Sequence, residues 1–177
     1  MNAGRCVLSQ VLGLVHWQSL RRLVERYGAE TRVRHFGCRQ QLICMVFAQL
    51  TWREGLRDIE TCLNARPEAI YHLGFCQPVA RSTLAEANER RDWRMCISHF
   101  FGTSSNAVKT QIWIAVSVCL IIAILHKQLK LPGTLHRTLQ LLSVHPFEKT
   151  PLHELLTESD SHALPTQDNH QSPLFTL

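Results

Sequence analysis

Gln41-Leu42-Ile43-Cys44-Met45-Val46-Phe47-Ala48-Gln49-Leu50 is apolar on almost every side. A helix that meets water keeps a polar face, and this stretch has none. It therefore reads as the central, buried helix of a helical core. The segments on either side supply its neighbours. Upstream, Leu20, Leu23, Val24 and Tyr27 recur at helical spacing and mark one apolar face. Arg21, Arg22, Glu25 and Arg26 point the other way, and Gly28 is placed to end that helix. A short linker from Glu30 to Gly37 follows, with Arg32 and Arg34 alternating against Val33 and His35.

Downstream, Leu56, Ile59 and Leu63 form a further stripe, with Arg57, Asp58 and Thr61 outside it. That helix stops near Arg66-Pro67, because the residue before a proline disfavours helical backbone. Pro67 suits the first turn of a short helix through Ala69, Ile70 and Leu73, closed by Gly74. After Pro78, Thr83 with Glu86 three residues later offers a capping box. The helix it would open carries Asn88, Arg90, Arg91 and Arg94 outward. Ala107 to Leu129 reads as one long apolar helix, broken at Pro132-Gly133, and Leu135, Leu139 and Leu142 mark another. From Thr157 the chain turns polar and is expected to be disordered. No alternating run of strand length occurs, so the expected fold class is all-α.

Charge is distributed unevenly. Residues 1–100 hold 14 arginines, no lysine and nine acids, whereas residues 101–177 are balanced at five cations and five acids. The guanidinium forks onto phosphate and onto guanine edges as an ammonium cannot. A basic first half therefore points to a polyanionic partner, against the plainer reading of a solvated arginine-rich surface. The seven cysteines are scattered with no C-x-x-C pair, and the ten histidines show no H-x-x-x-H pair. Neither a secreted disulfide framework nor a zinc finger is indicated; free thiols in a reducing cytosol fit. The apolar run Val7–Val15 is interrupted by Ser9, Gln10 and Gly13 and lacks a leader's cleavage site. Ile112 to Leu125 is shorter than the roughly 17–25 residues of a membrane-spanning helix, and a buried core helix is expected there.

A short helix, a turn and a second helix opening at Arg81-Ser82-Thr83-Leu84 have the outline of a helix-turn-helix, whose second helix enters the major groove. Ser82 and Thr83 could meet phosphate or base edges, and Asn88 and Arg91 suit adenine and guanine. The connection from Gly74 to Arg81 is longer than a standard turn, which leaves open a surface helix with a good cap. Arg21, Arg22, Arg26, Arg32, Arg34 and Arg39 form a denser basic surface that could track phosphates without reading sequence. Glu25 and Glu30 lie among them and could simply pair with some.

Several blocks carry a family resemblance. They are Met1-Asn2-Ala3-Gly4 with Ser9-Gln10, Val24-Glu25-Arg26-Tyr27, Phe47-Ala48-Gln49-Leu50-Thr51, and Leu56-Arg57-Asp58-Ile59-Glu60. Tyr71-His72-Leu73-Gly74 and Arg81 through Glu89, with Arg91-Asp92-Trp93-Arg94, continue the series. Together they resemble the N-terminal domain of DDE-type transposases of bacterial insertion sequences, in the group with a Y-x2-R-x3-E-x6-K signature. Gly102 to Trp113, Leu141-Leu142-Ser143-Val144 and Phe147-Glu148-Lys149-Thr150 are similar to the C-terminal end of the same proteins.

The resemblance implies a division into an N-terminal helical domain at 1–97, a C-terminal helical remnant at 98–156 and a disordered tail at 157–177. Between the two blocks the family carries a ribonuclease-H-like sheet whose two Asp and one Glu hold two metal ions for attack on phosphodiesters. Here only Met95 to Phe100 separates them. Arg94 to Phe101 contain no acid, and neither Tyr27 nor Tyr71 begins the signature. No catalytic residue, metal ligand or cofactor is therefore assigned; magnesium is expected only of the full-length enzymes.

The function implied is that of a truncated, inactive transposase that binds double-stranded DNA, such as terminal inverted repeats. It would work in the bacterial cytoplasm, on the nucleoid when DNA-bound and not at a membrane, and could associate with itself or with an intact protomer. The competing readings are a translated pseudogene fragment without function, an active enzyme, and a small membrane-associated helical protein. Without the catalytic sheet, residues 107–129 must dock on the N-terminal helices, self-associate or stay exposed, and removing 101–177 is expected to improve solution behaviour. The purified chain with Mg²⁺ or Mn²⁺ is expected to leave supercoiled DNA un-nicked in a gel assay.

Overall fold

A computed structural model of the protein describes residues 4–31, 33–91, 105–131 and 133–161. Nine helices and no strand occur among the described residues. They are α1 (Val7–Leu12), α2 (Trp17–Tyr27), α3 (Cys38–Leu50), α4 (Leu56–Asn64), α5 (Pro67–His72), α6 (Arg81–Arg90), α7 (Ser105–Gln128), α8 (Leu135–Val144) and α9 (Leu152–Ser161). The fold is all-α.

α3 is the axis of the molecule. Ten of its 13 residues are buried, leaving only Arg39, Gln40 and Gln49 in reach of water, so it must be surrounded on most of its circumference. α4 covers it from the N-terminal half, α7 and α8 from the C-terminal half. Phe47 stacks on Phe147 with ring centroids 5.4 Å apart. α4 buries Ile59 and Leu63 and turns Arg57, Asp58 and Thr61 outward, as its periodicity predicts.

α2 ends at Gly28, whose φ of 64° is left-handed backbone that glycine adopts without strain. Its apolar stripe is less covered than the pattern suggests. Leu23 and Tyr27 are exposed, because α2 lies at the edge of the fold and buries none of its residues fully.

Residues 7–10 are laced to the 146–152 segment. α1 lacks a side-chain cap, which leaves its first amides without partners inside the helix. Val7 N donates to the Glu148 carbonyl at 2.8 Å and Leu8 N to the Pro146 carbonyl at 2.9 Å. The Gln10 amide completes the seam: Nε2 donates to the carbonyls of Thr150 and Arg5, and Oε1 accepts from Leu152 N at 3.0 Å. A six-residue helix is not stable alone, so α1 exists because the 146–152 segment holds it. α1 is not foreshadowed by local periodicity, and α9 continues to Ser161, which corrects the disorder expected from Thr157 onward for residues 157–161. Leu152 and Leu156 bury against the core and order that last helix. The tail from residue 162 lies outside the described residues.

α7 splits into two faces. Ile114, Val118, Ile122 and Leu125 are buried, while Ile112, Val116, Leu120 and Ile124 are exposed. The expectation of a fully buried helix is thus met on one side only: α7 packs on α1, α3 and α8, which together occupy a single face. No helix among the described residues is long and apolar enough to cross a membrane. No described cysteine forms a disulfide; Cys6, Cys38 and Cys44 are buried and Cys76 and Cys119 exposed. Burial pushes the Cys44 thiol well above its usual range, so it is an inert core group.

The expectation that removing residues 101–177 would improve behaviour is overturned. Ile114, Val118, Ile122, Leu142, Leu152 and Leu156 belong to the same apolar cluster as Leu8, Met45 and Phe47. Without them α3 would face water. Truncation after residue 100 is therefore expected to abolish cooperative unfolding in a urea titration followed by circular dichroism. Gln10→Ala, which leaves backbone groups of Thr150 and Leu152 without that partner, should lower stability by about 1–3 kcal/mol in the same measurement.

Candidate nucleic-acid interface

α4, α5 and α6 form a compact three-helix corner. Pro67 begins α5 at a position where its missing N–H is no loss. The connection from Gly74 to Ala80 is anchored, since Phe75 and Val79 are buried. Asn64 also grips Val79 from both sides: Nδ2 donates to its carbonyl at 2.8 Å, and Oδ1 accepts its N–H at 2.9 Å. The longer-than-standard turn is thus held in place by a side chain of α4.

α6 begins at Arg81, two residues before the expected capping position, and the Thr83–Glu86 box does not form. Glu60 of α4 takes over, accepting the Arg81 N–H at 2.9 Å. A carboxylate at a helix start satisfies an orphan donor and complements the helix dipole. The result frees Arg81, Ser82 and Thr83, which are all exposed on the first turn.

The residues read as outward-facing further along α6 divide. Arg90 is exposed and pairs with Glu86 at 2.7 Å. Asn88 and Arg91 point inward, with 0% and 7% exposure, and this corrects their assignment as base-reading groups. Gln41, the polar residue at the head of the apolar run, explains the burial. Its Nε2 donates to Asn88 Oδ1 at 2.6 Å, and its Oε1 accepts from Arg91 Nη1 at 2.6 Å. Arg91 Nη2 donates to the Phe36 carbonyl, and the guanidinium lies 5.9 Å from the Phe36 ring. No described carboxylate pairs with Arg91, and Asn88 Nδ2 has no partner among the described residues. A glutamine opening the apolar run that continues through Ala48 was the available signal for this buried node.

Arg91 thereby ties the linker to α6 and forms part of the floor of a groove of about 700 Å³. Tyr27, Arg34 and His35 line one side of it, Thr83, Glu86 and Arg90 the other. One linker arginine, Arg34, and one residue of the first turn of α6, Thr83, thus line the same groove. Arg26 sits 5.7 Å from the Tyr27 ring beside it. Arg21 is neutralised by Glu25 at 3.0 Å, and Arg22 and Arg34 are exposed without an ion pair among the described residues. Glu30 pairs with no described arginine; it caps α3, accepting the Cys38 N–H at 2.7 Å. A Cβ on Gly37 would come within 2.5 Å of that carboxylate, so glycine is what admits the cap. Arg32 lies outside the described residues. Arg39 belongs elsewhere, 4.9 Å over the Trp17 ring in a second cleft.

Residues 3–76 match a family described as a domain of unknown function (DUF4372). This domain is found in transposase-like proteins. The match takes in α1 to α5, with the linker that carries Arg34, and stops before α6. No curated protein and no solved structure matches the chain. Among the described residues no three His, Cys, Asp or Glu side chains converge as metal ligands.

Arg91→Ala would strip the buried acceptors of Gln41 and Phe36 of their donor and is expected to destabilise the fold by about 2–3 kcal/mol. Arg90→Ala breaks an exposed pair one position away and should shift stability by less than about 1 kcal/mol. Urea midpoints of the two variants check the contrast.

Proposed function

We propose that this chain is a DNA-binding module derived from an insertion-sequence transposase and devoid of strand-transfer chemistry. The observation that carries the reading is the groove shared by the linker and α6. It sets the cation of Arg34 and the hydroxyl of Thr83 around one concave surface, beside the exposed first turn Arg81-Ser82. Phosphates would be positioned by the guanidinium groups and by that first turn, and α6 would present Arg81, Ser82 and Thr83 to the duplex. The arginine excess of the first half and the match of residues 3–76 to a domain of transposase-like proteins support the same reading. Specificity for terminal repeats would rest on Ser82 and Thr83, since Asn88 and Arg91 are engaged inside the fold.

Fluorescence anisotropy of the full chain on a terminal-repeat duplex and a scrambled duplex, across a salt series, tests it. Log K is expected to fall linearly with log salt at about 0.9 per phosphate contacted. Arg34→Gln should lower that slope by about one contact on both duplexes. Ser82→Ala with Thr83→Ala should erase the preference for the repeat. A salt-independent affinity, or a slope that Arg34→Gln leaves unchanged, would remove the groove from the account.

A further inference from the structure

On a different part of the molecule a second cleft, of about 810 Å³, opens where both ends of the chain meet α2, α3 and α5. Arg5, Arg39, Arg66 and Lys149 line it, and the single carboxylate among its lining residues is Glu68. All four cations are exposed, and none makes an ion pair among the described residues. Trp17 supplies an aromatic wall, half-buried, with the Arg39 guanidinium 4.9 Å from its ring. None of these side chains touches the linker–α6 groove, and Lys149 comes from the C-terminal segment that caps α1.

We infer that this cleft binds single-stranded nucleic acid, with a base stacked on the Trp17–Arg39 pair and backbone phosphates on Arg5, Arg66 and Lys149. The pairing of a stacking surface with unneutralised cations selects a single strand: it is the chemistry by which single strands are held without sequence preference, since every base has a π face and every linkage a charge. A free anion would use the cations alone and leave the indole idle, which gives the test its control. The site shares no residue with the duplex groove, so it stands or falls independently of the function proposed above.

The experiment uses the full chain and fluorescein-labelled ten-residue oligothymidylate, with the labelled duplex measured in parallel. Binding of the oligothymidylate is expected to weaken roughly tenfold in Trp17→Ala, from loss of one stacked base. It should weaken severalfold in Arg66→Gln, and the salt slope should fall by about 0.7 for that single-strand contact. Both variants should hold duplex with less than a twofold change, whereas Arg34→Gln should do the reverse. Trp17 also packs against the core, so Trp17→Phe, which keeps a stacking face, should retain most of the single-strand affinity and separates stacking from folding. Oligothymidylate binding that is unchanged by Arg66→Gln and Trp17→Ala would overturn the proposal. Displacement of oligothymidylate by tripolyphosphate at equal nucleotide-phosphate concentration would overturn the stacking role and leave a simple anion site.

Discussion

A helix that is apolar all round cannot be finished by the residues adjacent to it in sequence. α3 comes close to being such a helix, with ten of its 13 residues buried, and that burial governs the rest of the fold. Two shells are needed, and the chain supplies one from each half. α4 comes from the basic half, α7 and α8 from the neutral half, and α1 closes the space between. Satisfying backbone donors follows the same division of labour. α1 draws its cap from residues 146 and 148, and α6 draws its cap from Glu60 of α4. Local sequence supplies helices, and distant sequence supplies the groups that end them.

That distinction explains what could be read from the sequence. The stripes of α2, α4 and α8, the left-handed glycine after α2 and the proline opening α5 are local signals, and each element stands where its signal placed it. The cap of α6 was misplaced because Thr83 and Glu86 satisfy a local rule, while the structure uses a carboxylate 21 residues earlier. α1 went unseen because a short, interrupted apolar run has no helical case of its own; its partners lie about 140 residues away. At the site, the exposed hydroxyls of Ser82 and Thr83 and the exposed cation of Arg34 were legible as surface groups. Asn88 and Arg91 were not, since periodicity assigns polar residues to water unless a buried polar partner is known. Gln41 is that partner, and it sits 47 and 50 positions away.

The buried node formed by Gln41, Asn88 and Arg91 also shapes the basic groove from within. A guanidinium taken from water without a described carboxylate is held by an amide oxygen, a backbone carbonyl and an aromatic face. Such a group gives less stability than an apolar side chain of the same shape, yet it fixes geometry, because each of its bonds is directional. Here the direction matters. The bond to Phe36 sets the path of the linker beside α6, and with it the distance between Arg34 and Thr83 across the groove. A charge inside the protein thus holds in register the charges outside it.

The seam that joins α1 to residues 146–152 has a consequence for how the protein is made. During synthesis α1 and α3 leave the ribosome first, but the groups that cap α1 follow about 140 residues later, and α7 and α8, the far shell around α3, come only in the second half of the chain. At the usual rate of synthesis that is a delay on the order of ten seconds. Throughout it Met45, Phe47 and their neighbours have no cover on one side, and contacts of such long sequence separation form slowly even once the chain is complete. The nascent chain therefore presents a sticky, half-built helix to its surroundings for longer than most small helical proteins do. Its yield in a cell would be set by holdase chaperones and by the speed of the final docking step, more than by the stability of the finished fold.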